Sequence, residues 1–174
     1  MGEFKTETGP ENTFNFAQRL MSSQNFTELF REGMGLIEDT ASYLDGPGRK
    51  QSKALGSAAS LAYATESMRL TTRLMQMASW LLLQRAVNDG EIVQAEAQNE
   101  KNKIRVDNAT KEMQNPAWPD LPETLRTLIE TSLHLQRRIK HVDSMLKEEL
   151  LREQAANTSN PVGDQLSQIT AAFK

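Results

Sequence analysis

The stretch from Leu55 to Val87 constrains the fold most, because it is the longest run in the chain with sustained helical periodicity. Apolar and small residues recur at alternating intervals of three and four positions, which places them on one face of a helix. This first stripe comprises Leu55, Ala58, Leu61, Thr65, Met68, Thr72, Met75, Ser79, Leu82 and Ala86. A second stripe comprises Ala59, Tyr63, Leu70, Leu74, Met77 and Leu81, with Trp80 beside it. The sequence therefore predicts one long helix with two apolar faces.

An ordinary surface helix buries a single apolar face, so a helix with two should touch other elements on two sides. We expect it to be the central helix of a bundle. The second stripe also offers a surface that three helices alone leave uncovered. Leu70, Leu74, Met77 and Leu81 are therefore the candidate homodimer interface, with core packing as the alternative interpretation.

A first helix is expected over about residues 14–44, before the central helix. Its apolar positions are Phe26, Phe30, Gly33, Ile37, Thr40 and Leu44. Gly33 and Gly35 each cost this helix roughly 1 kcal/mol relative to alanine. They are either a weak point or the places where another helix or a bulky side chain needs room. The turn signal Asp45-Gly46-Pro47-Gly48 predicts antiparallel neighbours and places Gly33 near Tyr63.

The central helix should cover about 50–88 and stop near Gly90. A long connection over 89–120 should follow it, with a short exposed helix around residues 92–100 and then irregular chain. A third helix is expected over about 121–155. Its inward positions are Leu121, Leu125, Leu128, Ser132, Leu135, Ile139, Val142 and Leu146. The predicted fold is all-α, an antiparallel three-helix bundle with a long central helix.

The two ends of the chain lack this periodicity. Residues 1–12 are expected to be disordered, residues 13–156 to form the bundle, and residues 157–174 to form a flexible tail. The tail carries Leu166, Ile169 and Phe173 at helical spacing. These three residues suit a docking segment that binds a partner protein from a flexible tether.

Composition excludes several classes of function. The net charge of -3 and the pI near 5.5 argue against a nucleic-acid partner, which requires a concentrated basic face. There is no cysteine, so disulfide and thiolate chemistry are excluded. The start of the chain has no apolar core of signal-peptide length, and arginines lie close to the longest apolar run. We therefore expect a soluble, cytoplasmic protein without a membrane span.

Few residues of the sequence suggest metal binding or catalysis. His134 and His141 share a helix face, but no carboxylate pattern accompanies them as a metal site requires, so we predict no metal and no cofactor. Glu66, Arg69 and Arg73 form either an ordinary intrahelical charge network or a partly buried cluster that could bind an acidic partner. This cluster is also the only support for an alternative function as a small helical enzyme.

Three methionines of the central helix, Met68, Met75 and Met77, lie near Trp80 in the helical pattern. Methionine-rich surfaces can bind varied partners. Their spacing favours the simpler interpretation that all three belong to the core.

Three segments resemble the RcdA family of alphaproteobacterial regulators of CtrA degradation: LMSSQNFTELFREGMGLIEDTASYLDGPGR, LAYATESMRLTTRLMQMASWLLLQRAVNDGE and EKNKIRV. The resemblance covers roughly residues 16–150. It implies a dimerising three-helix bundle without enzymatic activity and without a cofactor. It further implies an adaptor that delivers cell-cycle regulators such as CtrA to the ClpXP protease. The partners it implies are CpdR and PopA-type proteins, with recruitment to a cell pole and a functional C-terminal tail.

Overall fold

The computed structural model describes residues 24–104 and 115–158, and throughout these ranges it is helical without any strand. The prediction of an all-α protein is confirmed for this part of the chain. The five α-helices are α1 (Gln24–Asp45), α2 (Pro47–Lys53), α3 (Ser57–Asn88), α4 (Gln94–Lys103) and α5 (Glu123–Thr158). The expectations for the disordered start, the helix before residue 24 and the C-terminal tail fall outside the described residues.

Helix α1 buries the face that its periodicity predicts. Phe26, Gly33 and Thr40 are buried, and Leu29, Leu36 and Tyr43 extend the same face. Gly33 packs against Leu81 of α3 and Leu135 of α5. A Cβ atom at this position would lie 2.5 Å from Leu81 Cδ1, so the glycine makes room for a bulky side chain, whereas Gly35 has nothing within 4 Å.

The chain does not reverse at the predicted turn. Pro47 starts the short helix α2 instead, as proline suits the first turn of a helix. Helix α2 ends at Lys53, and α3 begins after Gly56, whose carbonyl accepts the first helical hydrogen bond from Ser60 N–H at 2.8 Å. The reversal therefore lies near Leu55, about nine residues later than expected. This shift explains why Gly33 faces Leu81 rather than Tyr63.

Helix α3 ends as the sequence predicts. Gly90 adopts a left-handed φ of 76°. Glu91 N–H donates to Ala86 O at 2.9 Å, and Gly90 N–H donates to Val87 O at 3.0 Å. These two bonds form the Schellman motif that glycine allows at this position.

The direction of α5 corrects the predicted topology. Helices α1, α3 and α5 contact one another pairwise, and α1 runs antiparallel to α3. Along α3, however, Arg73 contacts Ser132 and Trp80 contacts Asp143, so positions in the two helices increase together. Helix α5 is therefore parallel to α3. The prediction that all neighbouring helices are antiparallel is wrong. The long connection after α3 returns the chain to the N-terminal end of α3 before α5 begins.

Part of that connection is the helix α4, which packs on α3. We expected a short exposed helix at this place, but Ala97, Gln98 and Lys101 are buried. The connection then leads through a 3-10 turn at Trp118–Asp120 into α5. Six of the eight inward positions predicted for α5 are buried and the other two, Leu128 and Val142, pack against the core at its edge.

Candidate functional site

The residues predicted for a dimer interface lie in the core of a single chain. Leu70 and Leu81 are completely buried, and Met77 and Leu74 are nearly so. They pack among residues of α1 and α5 in the main hydrophobic cluster. Core packing, the alternative interpretation, is therefore what the structure shows. These four side chains offer no surface to a second chain in this fold.

The first stripe of α3 is exposed instead. Leu61 is 71% exposed, Met68 72%, Met75 66% and Leu82 54%, and the four side chains recur every seven residues. The prediction that Met68 and Met75 belong to the core is wrong, whereas Met77 is buried as expected. A row of large apolar side chains on a helix surface is characteristic of a protein-binding face. We call this row, with the small residues between its members, the exposed face of α3.

The hydroxyl groups on or beside this exposed face are already satisfied by the helix itself. Each donates a hydrogen bond of 2.9 Å to the carbonyl four residues earlier, as observed for Thr65, Thr71, Thr72 and Ser79. A partner that covered the exposed face would therefore leave no unpaired hydroxyl donor, which is the usual cost of burying such groups. The exposed face behaves as an apolar surface despite its threonines and serine.

The Glu66, Arg69 and Arg73 side chains do not converge on one open site. The buried Glu66 carboxylate accepts a hydrogen bond from Arg69 Nη1 at 2.9 Å. Buried Arg73 turns to α5, where its Nη1 donates to Ser132 Oγ at 2.5 Å. Glu66 also lies 3.5 Å from Asn115 Nδ2. These contacts tie α3 to α5 and to the segment before it, and they leave only Arg69 for a partner to touch.

A second polar cluster, which the sequence did not reveal, fixes α4 at the other end of α3. Lys101 Nζ donates to Gln84 Oε1 at 2.5 Å and lies 4.4 Å from the centre of the Trp80 ring. Trp80 Nε1 donates to Asp143 Oδ1 at 2.9 Å, and Lys147 forms a 2.7 Å ion pair with the same carboxylate. The cluster joins α3, α4 and α5.

Burial governs the charges in this cluster. It lowers the pKa of Lys101 to about 8, although the carboxylate of Asp143 opposes the shift. Burial alone would raise the pKa of Asp143, but hydrogen bonds from Lys147 and Trp80 lower it below the usual value. Because the lysine is almost fully buried, the cluster has a structural role rather than that of an open binding site.

Two other expectations concern a metal site and a membrane-spanning helix. His134 and His141 are both exposed on α5. Within residues 24–104 and 115–158, no group of three or more His, Cys, Asp or Glu residues is placed to hold a metal ion. None of the helices in those ranges combines the length and apolarity that crossing a membrane requires. The tail residues Leu166, Ile169 and Phe173 lie outside the described residues.

The chain is similar to known proteins along most of its length. Residues 17–173 match a family described as "Protein of unknown function (DUF1465)". The crystal structure of RcdA from Caulobacter crescentus CB15 is 46% identical, with a TM-score of 0.61. The similarity covers 74% of this chain and 96% of that chain. The chain belongs to the RcdA family. No curated protein matches it. The match to the DUF1465 family continues to residue 173, so it includes both α3 and the tail.

The sequence contained a signal that could have assigned the exposed face correctly. The first stripe alternates large side chains with threonine, serine and alanine, whereas the second stripe keeps large apolar residues at Leu70, Leu74, Met77 and Leu81. A closely packed core favours the stripe with the greater apolar volume. Side-chain volume therefore distinguishes the two stripes, although their periodicity is equally good.

Proposed function

We propose that this protein is a non-enzymatic adaptor that promotes the proteolysis of cell-cycle regulators, with CtrA-type proteins as cargo and ClpXP as the protease. The observation that carries the proposal is membership of the RcdA family at 46% identity over 96% of the RcdA chain. CpdR and PopA-type proteins are the proposed partners. The protein would act as a homodimer in the cytoplasm, with recruitment to a cell pole.

The geometry of the chain supports a binding function. A group of three long helices that contact one another presents a row of large apolar side chains, and protein recognition commonly uses such rows at helical spacing. The guanidinium of Arg69 is partly exposed, whereas Arg73 is buried and donates to Ser132 Oγ of α5. An enzymatic function based on Glu66, Arg69 and Arg73 has less support, because Glu66 pairs with Arg69 and buried Arg73 donates to Ser132 of α5.

The tail is the second proposed binding element. The tail carries Leu166, Ile169 and Phe173 at intervals of three and four residues, the spacing that places side chains on one face of a helix. Ordering a segment costs about 1–2 kcal/mol per residue, which three side chains on the surface of their own bundle would hardly offset. An apolar groove of a partner protein could enclose them more completely.

The test is a reconstituted proteolysis assay with ClpXP, a CtrA-type substrate, CpdR and a PopA-type partner. The full chain should accelerate substrate loss, and no acceleration under any combination of these partners would refute the adaptor function. Truncation after Ala156 should weaken delivery while the helical circular dichroism and melting temperature stay nearly unchanged. Full delivery by the truncated chain would refute the role of the tail, and a large loss of melting temperature would assign the tail to the fold.

A further inference from the structure

The middle of α5 carries a group of basic side chains on its solvent-facing side. His134, Arg137, Arg138 and His141 are all exposed. Their separations of three and four residues place them on one side of the helix. We call these four residues the basic strip of α5. The strip spans about 10 Å along the helix axis at 1.5 Å per residue.

The centre of the basic strip lacks the compensating charges that helix surfaces usually have. No acidic residue lies within four positions of Arg137 along α5. The positions three and four residues away hold Leu133, His134, Lys140 and His141. Exposed helices gain stability from opposite charges at these spacings and lose it from like charges. An unfavourable local arrangement of this kind is typical of a functional position.

The surrounding carboxylates leave Arg137 without a partner. Glu32 of α1 forms an ion pair with Arg138 at one edge of the strip. Asp143 accepts a hydrogen bond from Trp80 and pairs with Lys147, so its charge is engaged on the inward side of α5. Within residues 24–104 and 115–158 the side chain of Arg137 forms no ion pair.

The two histidines add hydrogen-bond donors on either side of this arginine. His134 and His141 lie three residues before and four residues after Arg137. An imidazole ring donates at least one N–H in either protonation state. An arginine guanidinium binds a carboxylate through two parallel hydrogen bonds. The strip therefore presents a row of three donor groups that suits an anionic partner.

Acidic residues limit the length of that partner. Glu130 lies four residues before His134, Glu148 lies seven residues after His141, and both are exposed on the same side of α5. Beyond the strip, opposite charges alternate again, with Arg152 3.8 Å from Glu148. A long polyanion such as a nucleic acid would meet repulsion at both ends. An anionic membrane attracts clusters of roughly four to eight lysine or arginine residues, more than the strip contains.

The spacing of the donor groups favours a helical partner. His134 and Arg137 are separated by about 4.5 Å along the axis, and Arg137 and His141 by about 6 Å. A second helix reproduces both separations with acidic residues at positions i, i+3 and i+7. Side chains on one face of a strand recur at about 6.7 Å and fit only one of the two separations.

We propose that the basic strip of α5 binds a short acidic helix of another protein, with carboxylates opposite His134, Arg137 and His141. This interaction goes beyond the adaptor function, because it defines the chemistry of a partner and does not require proteolysis. It also uses a surface separate from both the exposed face of α3 and the tail.

Fluorescence anisotropy with a labelled helical peptide tests the proposal. The probe is an alanine- and glutamine-rich peptide with glutamate at positions i, i+3 and i+7, and the control peptide has glutamine at these three positions. The full chain should bind the probe at least fivefold more tightly than the control. Raising sodium chloride from about 0.1 M to about 1 M should weaken binding, because the Debye length falls from about 10 Å to about 3 Å. Equal binding of the two peptides, or no binding of the probe, would overturn the proposal.

A pair of matched variants tests the position of the site. Arg137→Glu should weaken binding of the probe at least tenfold. It also relieves the crowding of like charges, so circular dichroism and melting temperature should show no loss of fold. Arg152→Glu makes the same change at an exposed arginine of α5, about 22 Å further along the helix, and should leave binding within twofold. Equal losses in both variants would mean attraction to overall charge, and the assignment to the strip would be wrong.

Other occupants of the strip give different results. Phosphatidylglycerol vesicles and a single-stranded oligonucleotide present phosphates instead of carboxylates, and binding of either one without binding of the probe would contradict the proposal. A change in the sedimentation of the isolated chain on Arg137→Glu would assign the strip to contacts between copies and would also contradict it. Probe binding through the strip without any adaptor activity would refute the proposed function alone.

Discussion

Alanine substitution at Gly33 and Gly35 provides a sharp test of how α1 packs on α3. Both glycines lie in the interior of α1, so alanine should gain about 1 kcal/mol of helix propensity at either position. At Gly35 nothing lies within 4 Å of the new Cβ atom, so this gain should appear in full. It corresponds to a rise in melting temperature of about 2–4 °C for a chain of this length.

At Gly33 the same gain is opposed by a steric overlap. The new Cβ atom would lie 2.5 Å from Leu81 Cδ1, whereas carbon atoms pack best at about 3.5–4.0 Å. Leu81 is fully buried and cannot move into solvent, and Leu135 Cδ2 lies 3.7 Å from the same position. Overpacking of this kind costs about 1–3 kcal/mol. Gly33→Ala should therefore be less stable than Gly35→Ala by about 1–3 kcal/mol.

Urea denaturation at one fixed protein concentration measures this difference, and a double-mutant cycle assigns its cause. Leu81→Ala should itself cost about 2–5 kcal/mol, because it empties a buried site. In that background Gly33→Ala should become stabilising, since the overlapping methyl group is gone. The packing argument is refuted if Gly33→Ala matches Gly35→Ala in the native background, or if removing Leu81 does not change the effect of the glycine substitution.

Three further predictions concern the core and the cluster around Trp80. Leu135→Ala should cost about 2–5 kcal/mol in urea denaturation, and an effect below about 0.5 kcal/mol would place this residue outside the core. Trp80→Phe should cost roughly 1–3 kcal/mol in the same assay, because the partly buried carboxylate of Asp143 loses its 2.9 Å hydrogen bond, and a neutral result would contradict that contact. The pKa of Lys101 in the folded protein, about 8, lies below the usual lysine value of 10.5, so the unfolded chain binds more protons between these values and stability should rise with pH there. Lys101→Met should remove this rise when melting temperatures are compared between pH 7 and pH 9.5, and identical pH profiles for the two proteins would disprove the shift.

The sequence by itself determined the helices and most of their inward faces. The periodicity of α5 placed Leu125, Leu135 and Ile139 in the core, and the glycine after α3 predicted the left-handed residue at Gly90. These features depend on neighbours within about one or two turns of the same helix, so local pattern is sufficient to predict them. Close packing at Gly33 was one of two interpretations that the sequence left open, and the neighbour that it predicted was Tyr63 rather than Leu81.

Periodicity alone did not decide which stripe of α3 faces inward, although side-chain volume favours the second stripe, and only the tertiary structure decided which way α5 runs. Both stripes have helical spacing, and the choice between them depends on how much apolar volume α1, α4 and α5 enclose together. The chain reverses near Leu55 rather than at the glycine-rich turn, because Pro47 begins a further short helix within that turn. The burial of Lys101 and Arg73 likewise required partners far along the chain, Gln84 and Ser132. Contacts between distant residues depend on the packing of whole helices, and no single segment contains that information.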